Sequence, residues 1–370
     1  MRYYLIAGEA SGDLHGGNLI KGLKAADPSA EFRFWGGDNM AEASGTAPFV
    51  HYREGAVMGF SDVIKKAPAL LSNLKTCKND IELWRPDAVI LIDYPGFNMK
   101  VAKYCHNAGI KVFYYIAPKT WASREGRNKR LKAWVDKLYI IFPFEIKYFK
   151  NKGIPFEYIG NPLVEAINSC EMQRPCNGHY IALLPGSRKS EISRMMPVCM
   201  EAAESLKMKV VVAGAPSMSQ QDYAPYIEGR KNVELIFGKT YDILKFADAA
   251  IINSGTASLE AALIGTPQVV CWSTGGLTYF VAKKFLRVLD HVKYISLANL
   301  CLDKLVFKEL IQGDFTAPAV AAEVKSLLED EAKRHAMSED YKRLRILLGG
   351  GGASLAAAKS MIQEIKTNRI

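Results

Sequence analysis

Short apolar runs alternate with helix-patterned stretches along most of this chain, and the alternation occurs in two sets. Tyr3–Ala7, Phe32–Gly36, Ala88–Ile92 and Lys111–Ile116 are separated by amphipathic segments such as Asn18–Ala26 and Asn98–Ala108. After Gly160-Asn161-Pro162 the rhythm restarts with Tyr180–Leu184, Lys209–Ala213, Val233–Ile236, Ala249–Ile252 and Gln268–Cys271. Strands that alternate with helices predict an α/β fold with doubly wound parallel sheets. At 370 residues the chain exceeds one comfortable core, so two units of comparable size with a cleft between them are expected. The Pro/polar stretch Ser169–Gly178 lies between the two sets and reads as a domain entry segment. The expected domains are residues 1–162, 163–345 and a C-terminal helical tail, 346–370. Four glycines, Gly349–Gly352, interrupt that tail and predict a flexible joint, so that Ala353–Lys366 need not pack on the domain before it.

Composition narrows the function. Apolar residues make up 49% of the chain, enough to bury a core, yet no run approaches the ~20 residues needed to cross a bilayer. Met1–Gly8 is too short in its apolar part for a signal peptide and reads as a first strand. Seven cysteines without Cys-x-x-Cys spacing indicate neither a disulfide framework nor a zinc site, and a reducing cytoplasm fits them best. The net charge of +10 points to an anionic partner. Aromatics are not interleaved with basic residues as a base-stacking surface requires, so phosphorylated substrate or anionic lipid is favoured over nucleic acid.

Several strand ends carry residues suited to chemistry, and in open α/β sheets ligands bind beyond those ends. Ala250–Pro267 reads as a strand feeding directly into a helix, closed by Gly265 and Pro267. Ser254, Gly255 and Thr256 fall at the helix N-terminus, where free N–H groups and the dipole favour an anion, and Glu260 lies one turn on, placed to accept from a ribose. An ordinary capped helix with a surface glutamate explains the same residues equally well. Pro185-Gly186-Ser187-Arg188 is a second strand–turn–helix element, with a turn glycine, a capping serine and an arginine able to grip a phosphate. Asp93 ends the run Ala88–Ile92 and suits a general base, although a turn former before Pro95 accounts for it locally. Glu9, Asp13 and His15 in the first loop carry the same ambiguity. No Asp-x-Asp pair occurs to hold a nucleotide-bound metal, so lysine, arginine and helix dipoles would stabilise a leaving diphosphate; no metal and no cofactor are expected. Neither Gly-x-Gly-x-x-Gly nor a P-loop is present.

Basic residues mix with apolar ones in three places. The segment 57–71 includes Val63, Ile64, Lys65, Lys66, Leu70 and Leu71; the segment 119–132 includes Arg124 and Arg127; the segment 276–287 sets Phe280 and Phe285 beside Lys283 and Lys284. Each can be core plus a solvated face; together they suggest a surface for anionic phospholipid.

The motifs Ala7–Asp13, Ala56–Gly59, Leu91–Asn98, Pro143–Glu145, Leu183–Arg188, Ser254–Glu260 and Tyr294–Leu300 occur in the order found in lipid-A-disaccharide synthases, and the chain resembles that family nearly end to end. The resemblance implies two Rossmann-like domains of GT-B type with an inter-domain cleft, and a helical tail that returns to the first domain or exchanges with a partner in a homodimer. It implies a cytoplasmic, inverting, metal-independent glycosyltransferase at the inner face of the membrane. Such an enzyme transfers 2,3-diacylglucosamine from its UDP derivative to 2,3-diacylglucosamine 1-phosphate, giving a β(1→6) tetraacyl disaccharide 1-phosphate and UDP. By position Asp93 would be the catalytic carboxylate. Gly186, Ser187, Arg188, Ser254, Gly255, Thr256 and Glu260 would hold UDP, with Ser11, Asn98 and Asn299 near the substrates. Ser123, Gly96 and Asp62 depart from residues common in the family, which bears on acceptor contacts and acyl-chain preference. A related UDP-N-acetylglucosamine transferase, a UDP-sugar 2-epimerase and a non-enzymatic nucleotide-sugar binding module are the alternatives on this architecture.

Overall fold

A computed structural model describes residues 1–55, 67–121, 125–274 and 293–367. Contacts divide the chain into two compact units, Met1–Ala166 with Leu348–Ile370, and Ile167–Leu347.

The first unit is built on a seven-stranded sheet of β1 (Arg2–Ala7), β2 (Glu31–Gly36), β3 (Val50–His51), β4 (Ala88–Ile92), β5 (Lys111–Tyr115), β6 (Lys137–Ile140) and β7 (Phe156–Tyr158). All neighbours run parallel, in the order β3-β2-β1-β4-β5-β6-β7. Because side chains alternate along a strand, each central strand feeds two apolar layers. Tyr4, Ile6, Val89, Leu91, Val112, Tyr114, Leu138 and Ile140 enter one, packed under the helices Ala67–Trp84, Pro95–Asn107 and Arg127–Trp134. Tyr3, Leu5, Ala7, Ala88, Ile90, Ile92, Phe113, Tyr115 and Tyr139 enter the other, with Leu19, Ile20 and Leu23 from the helix Ala10–Ala26.

That second layer is completed from the far end of the chain. The helix Ala353–Thr367 contributes Ala357, Ala358, Met361, Ile362 and Ile365 to it. A Cβ at Gly22 would stand 2.7 Å from the Ser354 carbonyl oxygen, so this glycine permits the helix Ala10–Ala26 to approach its C-terminal neighbour closely. A polar latch lies alongside: Tyr139 donates to Ser360 Oγ (3.1 Å), Ser360 donates to Glu157 (2.6 Å), and Lys137 pairs with Glu157 and Glu364 (2.8 and 3.0 Å). At the glycine run the chain turns back toward the first unit. Gly349, Gly351 and Gly352 have φ of 90°, 112° and 80°, and the preceding Leu348 is buried, its carbonyl accepting from Asn161 N at 2.7 Å.

The second unit repeats the design with a parallel six-stranded sheet, β8 (Tyr180–Leu184), β9 (Lys209–Gly214), β10 (Val233–Phe237), β11 (Ala249–Asn253), β12 (Gln268–Trp272) and β13 (Glu309–Ile311). Its order is β10-β9-β8-β11-β12-β13, and the helices Ala317–Glu329 and Glu331–Leu347 belong to this unit. In each sheet the strand order reverses direction once, between β1 and β4 and between β8 and β11. Such a switch point leaves a crevice at the carboxyl ends of two adjacent strands, where doubly wound folds bind ligands.

Candidate active site

Asp93 stands at the first switch point, one residue beyond β4 and beside the end of β1, with Ala7 opposite Ile92 in the register. Its backbone is left-handed (φ 42°), as is that of Tyr94 (φ 45°). A non-glycine residue held there costs roughly 1–3 kcal/mol and persists only where the surroundings enforce it. Here Tyr114 Oη donates to the Asp93 carbonyl at 2.6 Å, Asn98 Nδ2 donates to the same oxygen at 2.8 Å and to the Ile92 carbonyl at 3.2 Å. The turn folds the Tyr94 ring over Gly8, whose missing side chain is required: a Cβ there would lie 2.4 Å from the ring. Asp93 itself is half-buried. Crowding by protein atoms pushes its carboxyl up to about 6; Lys119 opposes this, Glu9 adds to it, and the Tyr94 N–H and Arg127 also oppose it. A carboxylate with that affinity for protons is well matched to take one from a hydroxyl near neutral pH.

The first loop separates into one residue at the site and two that serve the fold. Glu9 is half-buried, accepts from the exposed Ser11 hydroxyl at 2.9 Å, and is felt electrostatically at Asp93. Asp13 is corrected to a structural role. It is 1% exposed and accepts from Gly37 N (2.6 Å), Asn39 N (3.0 Å), Asn39 Nδ2 (2.8 Å) and Met40 N (3.2 Å), capping the helix Asp38–Ser44. His15 is likewise no candidate base: burial drives its imidazole down to about 4, and it lies inside the fold. Asn98, fully buried, supports the Asp93 turn rather than presenting itself to a ligand.

Glu145, which in the sequence is only part of the motif Pro143–Glu145, is a second carboxylate near this site. It is buried, accepts from Trp121 Nε1 at 3.0 Å and from the backbone of Ile141 and Phe142 at 3.2 and 3.1 Å, and burial raises its carboxyl to about 7. The Trp121 ring packs edge-on against Phe144 at 4.8 Å, so the loop after β5 is anchored at its end.

At the second switch point the two turns predicted to hold an anion sit on adjacent strands, β8 and β11. Gly186 has φ 112°, and a Cβ there would fall 2.5 Å from Glu191 Oε2 and 2.6 Å from Asn253 Nδ2. Ser187 N donates to Glu191 at 2.9 Å, and Arg188, 70% exposed along its side chain, makes among the described residues only a long 3.4 Å contact with Glu191. Its guanidinium is therefore available to an incoming phosphate. The Ser254 N–H is occupied by the Cys271 carbonyl (2.9 Å), so the hydroxyl, without a partner among the described residues, is that residue's donor for a ligand. Gly255 and Thr256 are exposed, and the space where a Gly255 side chain would stand is open. Glu260 accepts from Tyr241 Oη at 3.1 Å, and burial raises its carboxyl. Asn299 is corrected: it is fully buried, donating to Phe307 O and Glu309 Oε1 and accepting from Val306 N (3.1, 2.9 and 2.9 Å). It clamps a loop and has no face left for substrate.

Of the basic–apolar segments, Val63, Ile64, Lys65, Lys66 and Arg124 lie outside the described residues, as does 276–287. Leu71 is 60% exposed, whereas Leu70 packs against the first unit's core, which removes it from the expected surface. Arg127 opens the helix Arg127–Trp134 and is felt at Asp93. No described helix is long and apolar enough to cross a membrane.

Comparison with known proteins bears on the whole chain. A family model described as lipid-A-disaccharide synthetase matches residues 3–364. The lipid-A-disaccharide synthase of Geobacter metallireducens is 36% identical over 383 residues, covering 100% of this chain and 98% of its own. Among solved structures, Staphylococcus aureus MnaA in complex with UDP aligns with a TM-score of 0.70 at 13% identity, covering 95% of this chain and 93% of that one. The glycosyltransferase of kitacinnamycin aligns at 0.64 and 15%, covering 98% of each chain. At such identities these structures speak for the fold alone: two doubly wound α/β units.

Proposed function

This chain belongs to the lipid-A-disaccharide synthase family, and from that membership we propose a division of labour in which the first unit deprotonates the acceptor and the second holds UDP. The protein is a glycosyltransferase. It joins the 2,3-diacylglucosamine of a UDP-sugar to 2,3-diacylglucosamine 1-phosphate, releasing UDP. The observation that carries the assignment of roles is Asp93: a strained turn enforced by Tyr114 and Asn98 holds a carboxyl pushed up to about 6 at the β1/β4 switch point. In this reading Asp93 removes the proton of the acceptor 6-hydroxyl as that oxygen attacks the anomeric carbon, and the departing UDP takes the electron pair of the broken bond. Attack from the face opposite the leaving group inverts the anomeric centre. Negative charge growing on the diphosphate is met by Arg188, the Ser254 hydroxyl and the helix start at Thr256, without a metal ion.

Arg188 offers the direct test of the donor side. Arg188→Ala should weaken UDP binding at least roughly tenfold in calorimetry, the loss of a charge-assisted contact. Unchanged affinity would remove Arg188 from the site.

Both substrates carry acyl chains, which motivates a peripheral seat at the inner, cytoplasmic face of the membrane. The segment 60–71, apart from Leu70, together with Arg124, Arg127 and Lys129 would form the contact, its cations Lys65 and Lys66 and these three each contributing about 1 kcal/mol near anionic headgroups and less in high salt. Vesicle sedimentation should show binding that rises with anionic lipid and falls when Val63, Ile64 and Leu71 are changed to Ser. Leu70 is left intact because its substitution would disturb the core. Indifference to vesicles of every composition would rule this surface out.

A further inference from the structure

Lys119 occupies the loop that leaves β5, the strand next to β4, and so stands on the Asp93 side of the first unit's sheet. The loop is fastened on both sides of it. Ile116 N donates to the Tyr139 carbonyl at 3.1 Å, Thr120 is 2% exposed with its N–H on the Pro118 carbonyl at 2.6 Å, and Trp121 is tied to Glu145. Between these anchors the Lys119 side chain is exposed and forms no ion pair with another described residue. Its charge reaches Asp93 and Glu145 without neutralising either. Arg127, at the start of the helix Arg127–Trp134, is a second cation whose charge is felt at Asp93. A lysine that is exposed and unpaired among the described residues, held on a pinned loop near a base, has an anion as its natural occupant.

We propose that Lys119 anchors the phosphate of the acceptor sugar, so that the hydroxyl to be activated faces Asp93 while the phosphate at the other end of the ring rests on the lysine. This rests on Asp93 as the acceptor-side base and goes beyond it by naming what selects a phosphorylated acceptor. The acceptor's two functional ends would then be read by two neighbouring strand ends, the base after β4 and the cation after β5. A phosphate on a membrane lipid has the same chemistry, and nonionic detergent micelles separate the two sources.

The test compares acceptors carrying a 1-phosphate or a 1-hydroxyl, in nonionic micelles, with the full-length enzyme. Wild type should prefer the phosphorylated acceptor. At about pH 8.5, far enough above the Asp93 limb that the base stays ionised without the lysine, Lys119→Gln should lower kcat/KM for that acceptor about tenfold or more, leave the hydroxyl acceptor and UDP affinity unchanged, and so erase the preference. Lys119→Arg should restore most of it. A preference that survives in Lys119→Gln, or an equal fall for both acceptors, overturns the proposal, as does a wild type that shows no preference. Full activity of Asp93→Asn would instead overturn the base assignment, a result that the acceptor preference does not depend on.

Discussion

Asp93→Asn should lower turnover by ~10²–10⁴ while UDP affinity barely changes, because it keeps the shape of the side chain and removes its basicity. The turn should survive, since its hydrogen bonds from Tyr114 and Asn98 fall on the Asp93 carbonyl rather than on the carboxylate. The pH dependence has a definite sign. A carboxyl that titrates near 6 in the folded enzyme is an active base above that pH, so wild-type kcat/KM should fall as pH drops through about 6. Burial of the carboxyl is the main cause of this limb's position, with Lys119 and Arg127 lowering it and Glu9 raising it. Because the folded state raises this pKa above its unfolded value, the ionised carboxylate weakens the fold above pH 6. Asp93→Asn should therefore be at least as stable as wild type at pH 7. Near-normal turnover in the variant would reduce Asp93 to a turn former and leave Glu9, the remaining carboxylate of the first loop at this site, as the next base to test.

Met361→Asp is expected to be the most damaging single change to stability. Met361 is fully buried where the C-terminal helix meets the first unit, flanked by Ile362 (8% exposed) and Ile365 (3%). Burial of these three side chains contributes roughly 5 kcal/mol or more, and a carboxylate placed among them would be desolvated without a partner. Urea titration should show the first unit destabilised by at least about 3 kcal/mol, with resistance to proteolysis lost over residues 353–367. A transition that does not move would mean that this helix is not part of the first unit's core in solution.

Much of this architecture is legible in the sequence because central parallel strands are buried on both faces and appear as uninterrupted apolar runs. Ala88–Ile92 and Tyr180–Leu184 match β4 and β8 residue for residue. The strands that escape are short or lie at an edge. Phe156–Tyr158 is half-buried and carries a central glutamate that Lys137 neutralises, Val50–His51 is only two residues long, and Glu309–Ile311 begins on a residue that caps the helix Leu297–Leu302. Asp93 stands out because it ends such a run. Glu9, Asp13 and His15 cannot be ranked from sequence, because their roles depend on where the first helix points: Asp13 meets the backbone of residues 37–40, a contact set by the pairing of β1 with β2. Asn299 reads as a polar residue in a matching motif, yet its partners at 306–309 claim both ends of its amide. Lys119 is invisible as a neighbour of Asp93 until β4 and β5 are known to be adjacent.

This chain forms a glycosidic bond between two acylated glucosamines. Purified protein incubated with UDP-2,3-diacylglucosamine and 2,3-diacylglucosamine 1-phosphate, with the products read by mass spectrometry, tests it most directly. The expected products are a tetraacyl disaccharide 1-phosphate and an equal amount of UDP, formed in the presence of EDTA as well as without it. UDP released without disaccharide, or an epimerised UDP-sugar in its place, would contradict this activity.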